Sequence, residues 1–142
     1  ANGNDLLLRS GNTDNGRLDA SGNLNIQGDI TGSNLLATNL VDFISGLIQS
    51  PTDSSYKLII KAPYAGRITE TTTESVSGTC TATFKINTTA LGGTANSVSS
   101  TEESQAHVSA NAFIAGDDIV LTVSANATCV DMSFTIKFTK SA

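Results

Sequence analysis

The sequence predicts an all-β protein, and three observations carry that prediction. Ser and Thr number 36 of the 142 residues and Asn another 12, whereas charged residues make up only 15%. Thr suits pleated strands, and Ser, Asn and Gly suit the turns between them. From Tyr56 onward, short runs alternate apolar and polar residues and are separated by turn signals. The last of them, Met132-Ser133-Phe134-Thr135-Ile136-Lys137-Phe138, has a strict period of two. A single chain of this length can bury about two thirds of its unfolded surface, enough for one sizeable core.

In chain order, residues 1–37 do not read as a globular domain. Single aliphatics at 18, 24, 26, 30 and 35 are separated by Gly-Asn and Gly-Asp punctuation. Each strand then offers one or two apolar side chains, too few for a core within one chain. Three copies wound about an axis would bury them together as a fibrous stalk; the other reading is a Gly/Asn-rich linker. Leu40, Phe43, Ile44, Leu47 and Ile48 recur at helical spacing, with Thr38 or Asn39 as N-cap and Ser50-Pro51 as the stop. This spacing predicts a short amphipathic helix over 38–50, packed on a symmetry-related helix or on its own chain.

Residues 51–142 predict a knob of seven or eight strands. The runs are Tyr56–Ala62, Arg67–Ser75, Thr79–Asn87, Ser97–Ser100, Ser104–Ser109, Ile119–Ala125 and Val130–Thr139. Pro63–Gly66 is a turn, and Ser77-Gly78 signals a hairpin. Such a succession makes a sandwich or jelly roll. Cys80 shares an apolar face with Ala82, Phe84 and Ile86. Cys129 falls out of phase with Val130, Met132, Phe134, Ile136 and Phe138. Unless a bulge intervenes, the two sulfurs do not face one core, and buried or loop thiols are expected ahead of a disulfide.

Charge and motifs narrow the function. A net charge of −5 with scattered Lys and Arg argues against a nucleic-acid partner. No apolar run is long enough to span a bilayer as a helix, and no signal-peptide pattern opens the chain. The first residue is Ala, which suggests a fragment or processed product. A single His and two distant cysteines make no metal site, and no cofactor is expected. There is no nucleophile elbow and no phosphate-cradling loop. Asp14-Asn15-Gly16 lacks the earlier ligand of a calcium loop, because Gly11 stands there. Glu70, Glu74, Glu102 and Glu103 lie in Thr/Ser-rich segments and read as solvated charges, so no catalytic residue is assigned. Asp117 and Asp118 read as a backbone-capping turn ahead of a cation site. Gln105, His107 and Ser109 share one face of a strand, expected at the surface or gathered at a trimer interface.

Ala112-Phe113-Ile114-Ala115-Gly116-Asp117-Asp118-Ile119-Val120-Leu121-Thr122-Val123, followed by an aromatic last strand, resembles the C-terminal signature of trimeric jelly rolls of the TNF/C1q type. From Leu58 to the end the chain also resembles the tips of bacteriophage tail needles and tail fibres. That resemblance implies a homotrimeric TNF-like jelly-roll head on a fibrous stalk, located in the virion at the distal end of the tail. Its implied partners are two further copies of itself, the rest of the needle or fibre N-terminal to it, and a host glycan or envelope protein. The implied task is to contact or penetrate the host envelope during attachment and DNA delivery; the alternative is a soluble TNF/C1q-like ligand binding a protein receptor. The contacting residues are expected in loops 88–104 and 125–129 and on the neighbouring strand: Thr94, Asn96, Ser99, Gln105, His107 and Asn126.

Overall fold

In the computed structural model, residues 6–10, 13–18, 24–26 and 41–140 are described. The chain divides into two compact units, Ala1–Leu36 and Ala37–Ala142. In the first, β1 (Leu6–Ser10), β2 (Thr13–Leu18) and β3 (Leu24–Ile26) form an antiparallel sheet in that order. Leu6 pairs with Leu18 and Gly16 with Ile26, so these strands find partners within one chain.

The second unit contains β4 (Val41–Ile48), β5 (Ser55–Ile59), β6 (Gly66–Ile86), β7 (Thr89–Ala90), β8 (Asn96–Val98), β9 (Glu103–Ala106), β10 (Ala112–Phe113) and β11 (Ile119–Lys140). They make one antiparallel sheet along the path β10-β6-β11-β4. β5 is added to β11, and β7, β8 and β9 to β6.

The helix expected over 38–50 is corrected: residues 41–48 are strand β4, and the proposed caps at 38 and 39 lie outside the described residues. The apolar positions fit either period. β4 pairs over its whole length with Met132–Thr139, turning Ile44 and Ile48 inward and Val41, Phe43 and Leu47 outward. Val41, Phe43, Ile44 and Ile48 favour a strand, and Gly46 costs a helix about 1 kcal/mol. Gly46 also lies beneath Phe134, where an added Cβ would come within 2.6 Å of the ring. At the head of the pairing, Val41 faces Thr139 and the Asp42 carboxylate lies 3.0 Å from Lys140 Nζ.

Two pairs of expected strands, one read as a hairpin at Ser77-Gly78 and the other as joined by the loop 125–129, merge into long strands. Arg67–Ser75, and Thr79–Asn87 up to Ile86, belong to β6, and Ile119–Ala125 and Val130–Thr139 belong to β11. The two long strands pair with each other, with irregularities at Ser124–Thr128 and Lys137–Phe138. Fully extended, the 21 residues of β6 would reach roughly 70 Å, far beyond a domain of this size. The ribbon therefore bends. Gly78 has φ 71°, where a Cβ would strike the Thr128 carbonyl, and Ala125, Thr128 and Asp131 also take positive φ. Ser77-Gly78 is thus a bend inside a strand, not a hairpin turn, and 125–129 is a bulged stretch of β11, not a loop.

The inward faces of both halves share one core, in which the Phe84 and Phe134 rings meet at 6.5 Å. Cys129 belongs to this core, a second correction. The irregular pairing around Ala127–Thr128 and the positive φ of Asp131 switch the alternation, so Cys129 is buried and Val130 exposed.

Candidate functional site

The ribbon half built from residues 66–77 and 130–140 presents two unlike faces. Its outer face carries an apolar column on β4, with Val41, Phe43 and Leu47 exposed by 54%, 66% and 55%. Beside it the register sets Ser133 against Leu47, Thr135 against Ser45 and Lys137 against Phe43. The next column, on β6, is Glu74, Thr72 and Glu70. The Thr72 hydroxyl lies 2.7 Å from that of Ser104 on β9. Between these columns lies an open cleft of about 110 Å³ lined by Thr72, Thr73, Glu74, Glu102, Ser133, Phe134 and Thr135. Hydroxyls and carboxylates of this kind accept and donate hydrogen bonds without a dominant positive charge. Among the described residues β4 is also the last strand on the sheet path, so its outward face and its unpaired edge lie together.

The inner face packs Ile68, Met132, Phe134, Ile136 and Phe138 into the core and buries polar side chains beside them. Thr71, Thr73, Ser75, Asn96, His107 and Asn111 are all buried. Asn96 donates from Nδ2 to the Thr71 and Glu103 carbonyls, and its Oδ1 accepts from Thr71 Oγ1 at 2.9 Å. His107 Nε2 lies 2.9 Å from the same hydroxyl, and Nδ1 donates to the Gly92 carbonyl. Asn111 Nδ2 donates to the Ile68 and His107 carbonyls. These bonds carry the chain from β8 through β9 to β10 across the top of β6, and a buried amide or imidazole is stable there because each is partnered.

The expected contact residues are therefore scattered in role. Asn96, 0% exposed, and His107, 5% exposed, are internal pins, which corrects their expected place on a surface or interface. His107 follows the last residue of β9, so the alternation expected through Ser109 ends before it. Thr94 is exposed, and Ser99 is half-buried, bracing Thr101. Gln105 donates to Glu103 Oε1 at 2.6 Å, which in turn accepts from Ser97 N–H through Oε2. Asn126 accepts from Cys129 N–H and donates to the Pro51 carbonyl, holding the bulge.

Asp117 and Asp118 lock a turn. Asp117 accepts from Ile114 N–H and the Asn87 amide; Asp118 accepts from Lys57 Nζ at 2.6 Å and from Lys61 N–H. Those donors hold both carboxyls below the usual carboxylate range.

Sequence reasoning missed the cleft and the apolar column. Thr72, Glu74, Ser133 and Thr135 occupy outward positions of runs already recognised as strands, so their shared face could have been found by pairing those runs. The column was hidden by the helical reading of 38–50. No family model and no curated protein matches this chain, so the site is read from its own residues.

Proposed function

We propose that this chain is the distal tip of a phage tail needle or fibre, a homotrimeric structural protein with a jelly-roll head that contacts or penetrates the host cell envelope. The observation that carries the reading is the outward column of β4. Three large apolar side chains stand exposed on an eight-residue strand that, among the described residues, ends the sheet path. Long apolar edges of this kind associate unless covered, and a closed cyclic assembly covers each copy's column with the next copy. A threefold ring also repeats every weak contact of the head three times, so that modest binding at each hydroxyl-lined cleft adds up through avidity. The cleft's Ser, Thr and Glu groups suit a polyhydroxyl glycan on the host surface.

The test is solution mass by multi-angle light scattering. Three chains of 14.6 kDa give 43.8 kDa, the expected mass of the assembly. Phe43→Glu combined with Leu47→Glu is expected to yield a folded monomer, with its β-type circular dichroism retained. A monomeric parent at all concentrations overturns the trimeric tip, and a trimer indifferent to the double substitution overturns the β4 interface.

A further inference from the structure

Cys80 and Cys129 are the chain's only cysteines. Their sulfurs lie 3.5 Å apart in the core, and Met132 Sδ lies 3.7 Å from Cys80 Sγ. No atom can stand between two sulfurs at van der Waals contact. A covalent bond at ~2.05 Å requires them to close by about 1.5 Å. The backbone beside each is already irregular: Gly78, two residues before Cys80, and Thr128, next to Cys129, both take positive φ. The pair bridges the two long strands where both bend, between residues 49 apart in sequence.

We propose that Cys80 and Cys129 are an oxidisable pair that closes an intramolecular disulfide across the bend of the β6–β11 ribbon. With glutathione disulfide as oxidant, one thiolate attacks it and releases one glutathione as a mixed disulfide forms. The second thiol, losing its proton, displaces the other glutathione as the Sγ–Sγ bond forms. Two protein thiols are oxidised and one glutathione disulfide is reduced to two glutathiones. Burial, with the neighbouring Cys129 sulfur, pushes the Cys80 thiol up to about 12. Both sulfurs are buried in the finished head, out of reach of the oxidant, so exchange belongs to the folding chain, before the bend closes. The same burial then shields the bond from reductants. A link spanning 49 residues removes considerable freedom from the unfolded chain and stabilises the head accordingly.

The chain is refolded in a glutathione redox buffer and, in parallel, under dithiothreitol, and analysed by intact mass, thiol titration in denaturant and a non-reducing gel. The expected product has lost both thiols and the mass of two hydrogens, carries no glutathione, and shows no link between chains. Its thermal midpoint is expected to rise by roughly 10 °C over the reduced form. Native protein should also react with dithiothreitol at least tenfold more slowly than denatured protein. Cys80→Ser and Cys129→Ala, refolded in the same buffer, should each show no such rise and should expose one thiol or one glutathione adduct. Two thiols retained after oxidative refolding, or bonds only between chains, overturn the proposal.

Discussion

Before Gly78, strand β6 turns Thr71, Thr73 and Ser75 inward; after it, the inward residues are Cys80, Ala82, Phe84 and Ile86. The inward positions of both halves are buried, and the earlier half also turns Ile68 inward. In the later half, dispersion and water exclusion hold the structure, with Phe84 against Phe134 and Leu121 and Val123 from β11. In the earlier half, the Thr71 hydroxyl is tolerated because Asn96 and His107 reach it from outside the ribbon, and that of Ser75 because it donates to the Gly78 carbonyl. Packing, which is non-directional, runs through both halves, with Ile68, Met132, Ile136 and Phe138 contributed by the earlier one; that half adds hydrogen bonds, which fix where the connecting loops must lie.

That contrast can be broken or sharpened by substitution. Phe84→Ala removes the ring that joins the two halves and is expected to cost about 3–5 kcal/mol, measured by urea denaturation. Thr71→Val keeps the shape but strips the hydroxyl from Asn96 Oδ1 and His107 Nε2, and should cost about 1–3 kcal/mol. Two residues along, Thr73→Val should be neutral or stabilising by up to about 1 kcal/mol, because its buried Oγ1 has no hydrogen-bond partner. Equal losses at 71 and 73 would show that the hydroxyl network does not hold the earlier half.

The smallest effect lies at the far end of the apolar half. The depressed carboxyls of Asp117 and Asp118 stabilise the turn above their unfolded range, near 3.8, and that contribution disappears as pH falls through the folded values. Hydrogen-exchange protection at Ile114 and Lys61 is therefore expected to fall below about pH 4. Protection at Ser75, whose amide bonds the Ser99 carbonyl, should persist. In Asp118→Asn the acid response at Lys61 should vanish.

The β class and most strand positions were legible because alternation survives in single runs such as Phe134-Thr135-Ile136-Lys137-Phe138. The errors share a cause, namely runs in which periodicity carries no contrast or is interrupted. In Thr71-Thr72-Thr73, identical residues occupy both faces, so nothing marks 71 and 73 as buried. Leu40 to Ile48 satisfies both periods, and only pairing with β11 decides between them. Cys129 was misplaced by a bulge, whose cause lies in the Asn126 side chain holding Pro51 and not in the phase of the run itself. Of the candidate site, the polar loops were visible, but the cleft needed the register between β6 and β11, a long-range relation.

The pairing of Val41 with Thr139 has a mechanical consequence. The first residue of β4 and the penultimate residue of β11 lie side by side on two antiparallel strands. A load pulling those points apart would peel β4 from β11 one hydrogen bond at a time, whereas a load running along the strands would shear all eight paired positions together. The β4–β11 pair is thus anisotropic, weak to prying at the Val41–Thr139 end and strong to shear along the strands. The Asp42–Lys140 contact, which Lys140 supplements by lying 4.6 Å over the Tyr64 ring, is the latch at the weak corner.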